Sequence, residues 1–537
     1  MKTITALFFG SIGLAAIIAI PPKAHAGTWQ RLNNRAPMPD IFDPDTGDFL
    51  CEGGAAFPIL LTDGSVIVQN VNSRKAHADG TVMKLTPDAN GSYLNGTWSQ
   101  LASMPYIPVA AAQAVLADGR VIIEGGEYTG VYEDFTLTNE GAIYDPVTNS
   151  WTSVPPPMFF GDLYPPRREF APHPIGDASS VVLANGTFML QDKMSRQAAL
   201  LDLNTLTWTE TGAATKADMN DEEGWTLLPN GKVLTVDCYT NFIFGLVQHY
   251  PRDPTNSELY DPQTGTWTSA GSTINTLTDK LTAEIGPAVL RPDGTVLAVG
   301  SQGFTSIYDS NTGTWSVGPQ LPPGLNGFPM TARDAPGALL PNGNVLIAVS
   351  GGPRPPPNPF PGPPANFFEF DGSNLNAESA FPNAAFEESY RINLLVLPTG
   401  EILEADGTKD VELYTPDDTT HNCNWEPVIH SAPSMVSRGH SYTITGIRFN
   451  GMSQASMYGD EGQNATNYPL VRITNVATNH VFYCRTHDHS SMAVASNAPV
   501  STHFDVPQTG ETGPGTLEVV ANGIASEPVP VLVTANP

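Results

Sequence analysis

A hydrophobic run followed by a tight polar turn that ends in glycine recurs seven times along the sequence. The turns occupy residues 61–64, 116–119, 183–186, 228–231, 291–294, 340–343 and 397–400. Asp-Gly and Asn-Gly pairs, present in most of these turns, suit two-residue hairpin loops because both central residues can adopt positive φ. The apolar residues on either side of the turns predict strands that are buried on both faces.

A second element, which opens with tryptophan, follows four of the turns at a similar phase. Trp151, Trp208, Trp267 and Trp315 each begin a predicted outer strand, a few residues after a Tyr-Asp or Leu-Asp pair. Two hairpins per repeat form one four-stranded blade, and spacings of 45 to 67 residues between turns fit propeller blades with variable loops. The pattern therefore predicts a seven-bladed β-propeller.

The two ends of the repeat region predict how the ring closes. Trp29 has the outer-strand pattern but no inner strands before it, and the last repeat, Tyr390 to Asp417, has no tryptophan strand directly after it. We expect the Trp29 strand to complete the seventh blade. From about Cys423 the repeat stops and short strands continue, which is typical of an immunoglobulin-like β-sandwich. The predicted fold is all-β, with a propeller over residues 27–420 and a sandwich over residues 421–537.

Composition agrees with this fold and limits the partners. The 537 residues include 49 Gly and 49 Pro, which break helices and supply turns. There are 25 Lys and Arg residues against 54 Asp and Glu residues, so the formal net charge is −29. A surface this acidic repels phosphate backbones and anionic lipid heads. We expect no nucleic-acid or electrostatic membrane binding, which leaves neutral, polar or cationic partners, including Ca²⁺.

Residues 1–26 have the pattern of a secretory signal peptide. Lys2 precedes an apolar run from Ala6 to Ile20, and Ala24-His25-Ala26 fits the small-x-small cleavage pattern. The alternative is an uncleaved membrane anchor, although the run is short for a membrane span. We expect a secreted, periplasmic or extracellular, protein with no transmembrane segment after cleavage near Ala26.

An exported protein can oxidise its cysteines, and this chain has four, at positions 51, 238, 423 and 484. Four cysteines allow three pairings. We favour a disulfide between Cys423 and Cys484, because both belong to the C-terminal region, and four buried thiols are the alternative.

The blade motif resembles kelch repeats. A signal peptide, a seven-bladed kelch propeller and a C-terminal immunoglobulin-like domain together are similar to the galactose oxidase and glyoxal oxidase group. The run Met457 to Asp460, followed by residues 464–473, looks like the last domain of that group. The resemblance implies a mononuclear copper site at the propeller axis, with two Tyr and two His ligands and one Tyr crosslinked to Cys. Such a site oxidises primary alcohols or aldehydes with O₂ and releases hydrogen peroxide.

Three of the four copper ligands implied by the resemblance are not matched. The crosslinked Tyr and its Cys fall on Ala110 and Ala55, the Tyr-His pair falls on Tyr390 and Arg391, and the C-terminal His falls near Gln463. Arg391 places a permanent cation where copper would lie. We therefore expect no copper-radical centre, and the alternative is misalignment caused by variable loops.

Charged side chains stand just ahead of the predicted inner strands, at positions that ring one mouth of a propeller channel. Carboxylates beside arginines acquire separated pKa values that suit acid–base chemistry, and arginine can hold a carboxylate or sugar-acid ligand. We assign catalysis to Tyr390, Arg391, Asp334 and Glu222, and ligand binding to Arg333, Asp177, Glu223, Glu284 and Gln463. The alternative is that these charges pair with one another and close the channel.

His487 and His489 lie two residues apart just past a predicted strand. Such residues face the same side of a strand, so the pair could bind a metal with a third ligand from His173, His440 or His503. The alternative is that both imidazoles are solvent-exposed or hydrogen-bonded between domains.

Three functions are compatible with the sequence. The first is a site at the propeller axis that binds or acts on a carbohydrate or other small oxygenated molecule, without the copper radical. The second is a copper-dependent alcohol or aldehyde oxidase with rearranged ligands. The third is an extracellular or envelope interaction module without catalysis. Propellers support all three, so the fold alone does not decide between them.

Overall fold

A computed structural model describes residues 27–161, 172–238, 255–278, 284–324, 327–352 and 362–535. The predicted signal peptide, residues 1–26, lies outside the described residues. Within them the secondary structure consists of β-strands and three short 3-10 helices, Pro382–Phe386, Ser389–Arg391 and Cys423–Trp425. The prediction of an all-β chain is confirmed. None of the described helices is long and apolar enough to cross a membrane.

Six sheets, numbered 1 to 6, share one construction: four strands in chain order pair as an antiparallel meander. Sheet 1 comprises Ala55–Leu60, Val66–Asn72, His77–Thr86 and Thr97–Gln100. Sheet 2 comprises Ala112–Val115, Val121–Glu124, Gly141–Asp145 and Ser150–Ser153. Sheet 3 comprises Ser180–Val182, Phe188–Gln191, Ala198–Asp202 and Thr207–Thr211. Sheet 4 comprises Thr226–Leu227, Val233–Val236, Asn256–Asp261 and Thr266–Ser272. Sheet 5 comprises Ala288–Leu290, Thr295–Val299, Thr305–Asp309 and Thr314–Val317. Sheet 6 comprises Gly337–Leu339, Val345–Ser350, Ala365–Phe370 and Leu375–Glu378.

Sheet 7 joins the two ends of the repeat region. Its first three strands are Asn393–Val396, Ile402–Ala405 and Glu412–Thr415, and its fourth strand is the N-terminal Thr28–Arg31. The expected pairing is observed, with Trp29 opposite Tyr414 in an antiparallel register. The Trp29 indole also donates a 2.7 Å hydrogen bond to the carbonyl of Ser379, which follows the last strand of sheet 6.

The first strands of the sheets pack against one another in a nearly continuous circle. Those of sheets 1, 2 and 3 are in contact in that order, and those of sheets 4, 5, 6, 7 and 1 are in contact in that order. The inner strands are buried on both faces, as predicted; all four residues of Val121–Glu124 are buried. The arrangement of these sheets as seven propeller blades stays a prediction.

The tryptophan pattern has a simple packing cause. Trp151 lies opposite Tyr144 on the neighbouring strand, with ring centroids 5.1 Å apart, so the outer strand covers the phenol ring. The aspartate after the tyrosine closes the intervening turn, since Asp145 Oδ1 accepts a 2.8 Å hydrogen bond from Val147 N. The same pairing occurs at Tyr260 with Trp267 and at Tyr308 with Trp315.

The Gly-ending turns differ from the prediction in one respect. In the turn of sheet 1, Gly64 has φ of 77° whereas Asp63 is not left-handed. Leu61 N donates to Ser65 O at 2.7 Å, and Asp63 Oδ1 accepts from Ser65 N at 3.0 Å. The hairpin loop therefore has three residues and ends in a left-handed glycine, and the expectation of two-residue loops is wrong for this turn.

The C-terminal region forms a sheet of nine strands, whose core includes Val436, Ile444, Val471, Cys484 and Phe504. The strands are Val428–Ser431, Met435–Ser437, Ser441–Ile447, Leu470–Asn475, Val481–His487, Val500–Asp505, Gly513–Ala521, Ile524–Ala525 and Val529–Thr534. The immunoglobulin-like assignment of this region stays a prediction.

The cysteine prediction is wrong. All four cysteines are free thiols. Cys484 is buried in the core of the C-terminal sheet, whereas Cys423 is exposed in a 3-10 helix. The alternative of four buried thiols holds for Cys51, Cys238 and Cys484 but not for Cys423.

Residues 454–468, here called the inserted segment, run from the C-terminal region across the first strands of five sheets. Its strand Ser456–Met457 pairs with Gly337–Leu339 and so adds a fifth strand to sheet 6. Hydrogen bonds reach the other four sheets: Leu227 N to Gln454 Oε1, Val396 N to Ser456 Oγ, Gln113 Nε2 to Asn464 Oδ1 and Tyr468 Oη to Leu60 O. The inserted segment therefore connects the first strands of five sheets, whose residues are distant from one another in the sequence.

Candidate functional site

A pocket of about 370 Å³ lies where the loops ahead of several first strands meet the inserted segment. Ala110 lines it ahead of sheet 2, Glu284 ahead of sheet 5, and Tyr390 ahead of sheet 7. Tyr458 of the inserted segment contributes from the opposite direction. The repeat phase used in the sequence prediction therefore does bring residues from distant repeats to one cavity.

Five of the nine predicted site residues line this pocket: Glu284, Arg333, Asp334, Tyr390 and Arg391. The other four, Asp177, Glu222, Glu223 and Gln463, do not line it. Their contacts, described below, separate residues adjacent to the pocket from residues that serve the surrounding structure.

Glu284 and Asp334 form a hydrogen-bonded carboxyl pair at the pocket wall. Burial raises the pKa of Asp334 from 3.8 to about 7. Burial, together with the charge of Asp334, raises the pKa of Glu284 well above its usual value. Burial therefore favours the protonated form of Glu284, while Asp334 is near its titration point at neutral pH, and carboxyl groups with separated pKa values suit one acid and one base in a single site.

Glu222 links this pair to a buried ammonium group behind the pocket. Its carboxylate oxygen lies within 4.8 Å of those of Glu284 and Asp334. Lys193 Nζ lies 3.0 Å from Glu222 and also forms an ion pair with Asp177. Burial alone would lower the pKa of Lys193, but Asp177 and Glu222 raise it well above its usual value. Asp177 and Glu222 thus share a permanent cation, in agreement with the alternative that part of the charged ring pairs internally.

Glu223 points away from the pocket, although it follows Glu222 directly. Its carboxylate lies 2.9 Å from Lys216 Nζ, which also binds Asp218 at 2.6 Å and Glu258 at 2.8 Å. All four side chains are almost fully buried. Glu222 has φ of 60°, and the two neighbouring carboxylates bind different lysines, so the ligand-binding role predicted for Glu223 does not fit its position.

Gln463 is also occupied by backbone contacts. Its Nε2 donates to Asp460 O at 2.7 Å, and its Oε1 accepts from Tyr458 N at 3.2 Å. The side chain closes a loop of the inserted segment, and that loop places Tyr458 at the pocket. A positioning role fits Gln463 better than the predicted contact with ligand.

Arg391 and Tyr390 form one unit at the pocket. Arg391 Nε and Nη2 donate to the Tyr390 hydroxyl at 3.1 and 3.0 Å, and Arg391 Nη2 lies 3.4 Å from a Glu388 oxygen. Burial raises the pKa of Tyr390, and the charge of Arg391 opposes this effect. The Tyr458 hydroxyl donates to the backbone carbonyl of Tyr390. The Tyr390 phenol therefore stays protonated at neutral pH.

Sequence reasoning missed Glu127 and Lys193. Glu127 lines the pocket after the second strand of sheet 2, and Lys193 follows the second strand of sheet 3. In a hairpin the second strand ends beside the start of the first, so residues two or three positions beyond it reach the same mouth. The positions two or three residues after each predicted second strand are therefore a second sequence signal for this site. Glu133, whose pKa burial raises to about 7, also lines the pocket.

An aromatic surface, the aromatic rim, extends from one side of the pocket and consists of Phe42, Phe49, Tyr132 and Phe135. All four side chains are at least 42 % exposed. The Phe42 and Phe49 rings are 6.0 Å apart, and the Phe135 ring lies 5.8 Å from that of Tyr128, which lines the pocket. Exposed aromatic faces beside a polar pocket are well suited to the apolar faces of sugar rings.

The copper site implied by the sequence resemblance does not fit these residues. Among the described residues, the pocket lining offers tyrosine hydroxyls and carboxylates but neither histidine nor cysteine. Copper is bound in proteins chiefly by imidazole and sulfur ligands, whereas carboxylates suit Mg²⁺, Ca²⁺ and Mn²⁺.

The side chains of His487 and His489, predicted as two ligands of one metal ion, do not face a common site. His489 is buried, its Nδ1 lies 2.8 Å from Thr502 Oγ1, and its ring stacks on Tyr468. Burial lowers its pKa to about 3. The strand ends at His487, and Asp488 has φ of 51°, so the rule that residues two apart share a face does not apply here. Among the proposed third ligands, His503 lies beside His487.

No protein-family model and no curated protein matches this chain. Among solved structures, it is similar to a novel fungal alcohol oxidase of the AA5 family, in complex with copper, with 14 % identity and a TM-score of 0.47. That similarity covers 95 % of this chain and 100 % of the other. It is also similar to virginiamycin B lyase from Staphylococcus aureus, with 10 % identity, a TM-score of 0.42, and coverage of 72 % and 99 %.

Proposed function

We propose that this chain is an exported, galactose-oxidase-like protein whose pocket binds a carbohydrate or other small oxygenated molecule and acts on it by acid–base chemistry. In this proposal residues 27–420 form a seven-bladed kelch-type propeller, residues 421–537 form an immunoglobulin-like domain, and the copper-radical centre is lost. The circular packing of the first strands and the N-terminal strand in sheet 7 support the propeller.

The Glu284–Asp334 pair carries the catalytic part of the proposal. Two hydrogen-bonded carboxyls, Glu284 with a pKa raised well above its usual value and Asp334 with a pKa of about 7, face a pocket that a small molecule can enter. Glu284 would donate a proton to an oxygen of the substrate, and Asp334 would accept one from water or a hydroxyl group. Arg391 and the protonated Tyr390 would orient the substrate by donating hydrogen bonds.

The remaining lining supports an oxygenated substrate rather than an apolar one. The volume of about 370 Å³ lies within the usual range for small-molecule sites. Phe57, Tyr128 and Tyr458 offer ring surfaces, while carboxyl, phenol and guanidinium groups offer hydrogen bonds in several directions. The aromatic rim would extend this surface for a longer chain of sugar units.

A screen of the purified chain, residues 27–537, tests the proposal. Neutral and acidic oligosaccharides would be incubated with the protein, binding would be measured by calorimetry, and products would be identified by mass spectrometry. We expect Asp334→Asn and Glu284→Gln each to lower the rate about 100-fold or more with little change in binding. Glu210→Gln, which changes an exposed carboxylate on an outer strand of sheet 3, is the matched control. Turnover that survives both pocket substitutions would overturn the catalytic role, and no binding to any sugar would overturn a carbohydrate as the ligand.

A further inference from the structure

Two histidines face each other across neighbouring strands of the C-terminal sheet. His487 ends the strand Val481–His487, and His503 is its partner in the antiparallel register with Val500–Asp505. Their ring centroids lie 5.5 Å apart. Side chains that lie opposite each other on antiparallel strands are held at a fixed, short separation by the sheet itself. The backbone therefore brings the two imidazoles together without help from a flexible loop.

Asp488 completes this group. Its Oδ2 lies 2.8 Å from His487 Nδ1 and 3.4 Å from His503 Nδ1, so both imidazoles turn the same ring nitrogen toward one carboxylate oxygen. The ligand atoms of the three residues all lie within 4.8 Å of one another. His503 and Asp488 are well exposed, at 47 % and 58 % of their side-chain areas, so an ion can reach them from solvent.

We propose that His487, His503 and Asp488 form a binding site for a divalent transition-metal ion, Zn²⁺ in the first instance. Two imidazole nitrogens and one carboxylate oxygen form a donor set typical of zinc, and solvent can supply the fourth ligand. The all-oxygen ligand set that Ca²⁺ and Mg²⁺ require is not offered here. This site lies on the C-terminal sheet and is independent of the proposed function of the pocket.

A neighbouring carboxylate is placed to orient one of the ligands. Asp505 Oδ1 lies 3.1 Å from His487 Nε2, the nitrogen that does not face Asp488. A carboxylate that accepts the second N–H of a metal-binding histidine fixes its tautomer and ring orientation. Asp505 Oδ2 also accepts a 3.1 Å hydrogen bond from Arg485, which donates through Nη2 to the carbonyl of Asp118 in the turn of sheet 2.

This chain of contacts gives the metal a structural consequence. His487, Asp505 and Arg485 connect the site to the contact between the C-terminal sheet and sheet 2. In the same strand, Thr486 N donates to Thr62 O of the sheet 1 turn at 3.2 Å. A bound ion that fixes His487 would therefore strengthen the attachment of the C-terminal sheet to sheets 1 and 2.

Calorimetry with Zn²⁺ alone tests the proposal on chelator-treated protein, residues 27–537. We expect one tight equivalent, weakened about 100-fold or more in His503→Gln and Asp488→Asn and about 10- to 100-fold in Asp505→Asn. His480→Gln is the matched control, because His480, which directly precedes the strand Val481–His487, pairs with Glu511 at 3.2 Å but belongs to no group of three metal-ligating side chains among the described residues. Its zinc affinity should equal that of the wild-type protein.

Thermal unfolding supplies a second readout and shows whether each variant is folded. Zinc should raise the melting temperature of the wild-type protein and of His480→Gln, and this rise should disappear in His503→Gln. If His503→Gln is folded and binds zinc as tightly as the wild-type protein, the proposal is wrong and the group is a hydrogen-bonded cluster without a metal. Because no sugar is used in either measurement, this result does not depend on whether the pocket is active.

Discussion

Gln113 Nε2 lies 2.6 Å from Asn464 Oδ1, although 351 residues separate them in the sequence. The amide of Asn464 donates in turn to the carbonyl of Leu394 at 3.1 Å, and all three residues are buried. One side chain of the inserted segment thus joins the first strand of sheet 2 to the first strand of sheet 7. The loops that precede these two strands carry Ala110 and Tyr390, which line the pocket.

Replacing Asn464 should therefore destabilise the whole assembly. Asn464→Leu keeps the approximate volume but leaves the Gln113 amide and the Leu394 carbonyl without partners, at a cost of about 1–3 kcal/mol for each group. Urea unfolding measures the loss. The matched control is Asn95→Leu, which removes an exposed amide pair in which Asn33 Nδ2 donates to Asn95 Oδ1 at 2.7 Å. Equal stability losses in the two variants would contradict the role given to Asn464.

Lys216 pairs with four buried carboxylates, those of Asp218, Glu223, Asp237 and Glu258, and its replacement should be costly. Lys216→Met removes the ammonium from Asp218, Glu223 and Glu258 and is expected to lower the free energy of unfolding by about 3–5 kcal/mol, because buried charges lose their counter-charge. Lys409→Met, at a partly exposed ion pair with Asp40, should cost less than about 1 kcal/mol. Denaturant titration compares the two. A loss below 1 kcal/mol for Lys216→Met would show that the carboxyl groups compensate by taking up protons.

The stability of the fold should fall as pH rises from about 4 to 7. The folded-state pKa of Asp334, about 7, lies above its ordinary value of 3.8, so over this range the folded chain keeps a proton that the unfolded chain has lost. Besides burial, a hydrogen bond with Glu284 and the charges of Glu222, Lys193 and Arg333 act on this pKa. One such proton is equivalent to about 1.4 kcal/mol per pH unit.

Unfolding experiments at several pH values check this direction. Asp334→Asn cannot ionise, so its stability should decline less steeply with pH than that of the wild-type protein. Asp192 and Glu412, whose pKa values burial also raises to about 7, should leave part of the slope in place. An unchanged slope in Asp334→Asn would show that this carboxyl is ionised throughout.

Copper loading should not produce an oxidase. Because the described residues of the pocket include neither imidazole nor thiolate, copper-treated protein is expected to release no hydrogen peroxide with primary alcohols or aldehydes. A peroxide-coupled assay measures this, with His503→Gln as a control that removes the histidine pair as a second copper ligand set. Peroxide release that is lost in Tyr390→Phe would instead establish a copper oxidase with rearranged ligands.

The repeat pattern predicted which residues lie at the pocket better than it predicted the role of each residue. The position ahead of each first strand located Glu284, Arg333, Asp334, Tyr390 and Arg391, because hairpins of equal construction place equal positions at one mouth. Phase does not determine which of two consecutive residues faces inward. The prediction therefore places both Glu222 and Glu223 at the mouth, one in catalysis and one in ligand binding, although in the structure they bind different lysines.

Contacts between distant segments could not be predicted from local pattern. The inserted segment carries no repeat, and its partners Leu60, Gln113 and Leu227 belong to three different sheets. The His487–His503 pair depends on the register between two strands, which the sequence does not specify without their turn geometry. The expected pairing of His489 with His487 is wrong because the strand ends at His487, two residues before His489.

The pairing of Thr28–Arg31 with Glu412–Thr415 also determines when sheet 7 can form during synthesis of the chain. The first described strand to be made must wait for a partner that lies 384 residues further along the chain, from Thr28 to Glu412. At about 5–20 residues per second, this delay is roughly 20–80 s. Throughout that interval the strand has no native strand partner, and sheet 7 cannot be completed until Glu412–Thr415 has been made.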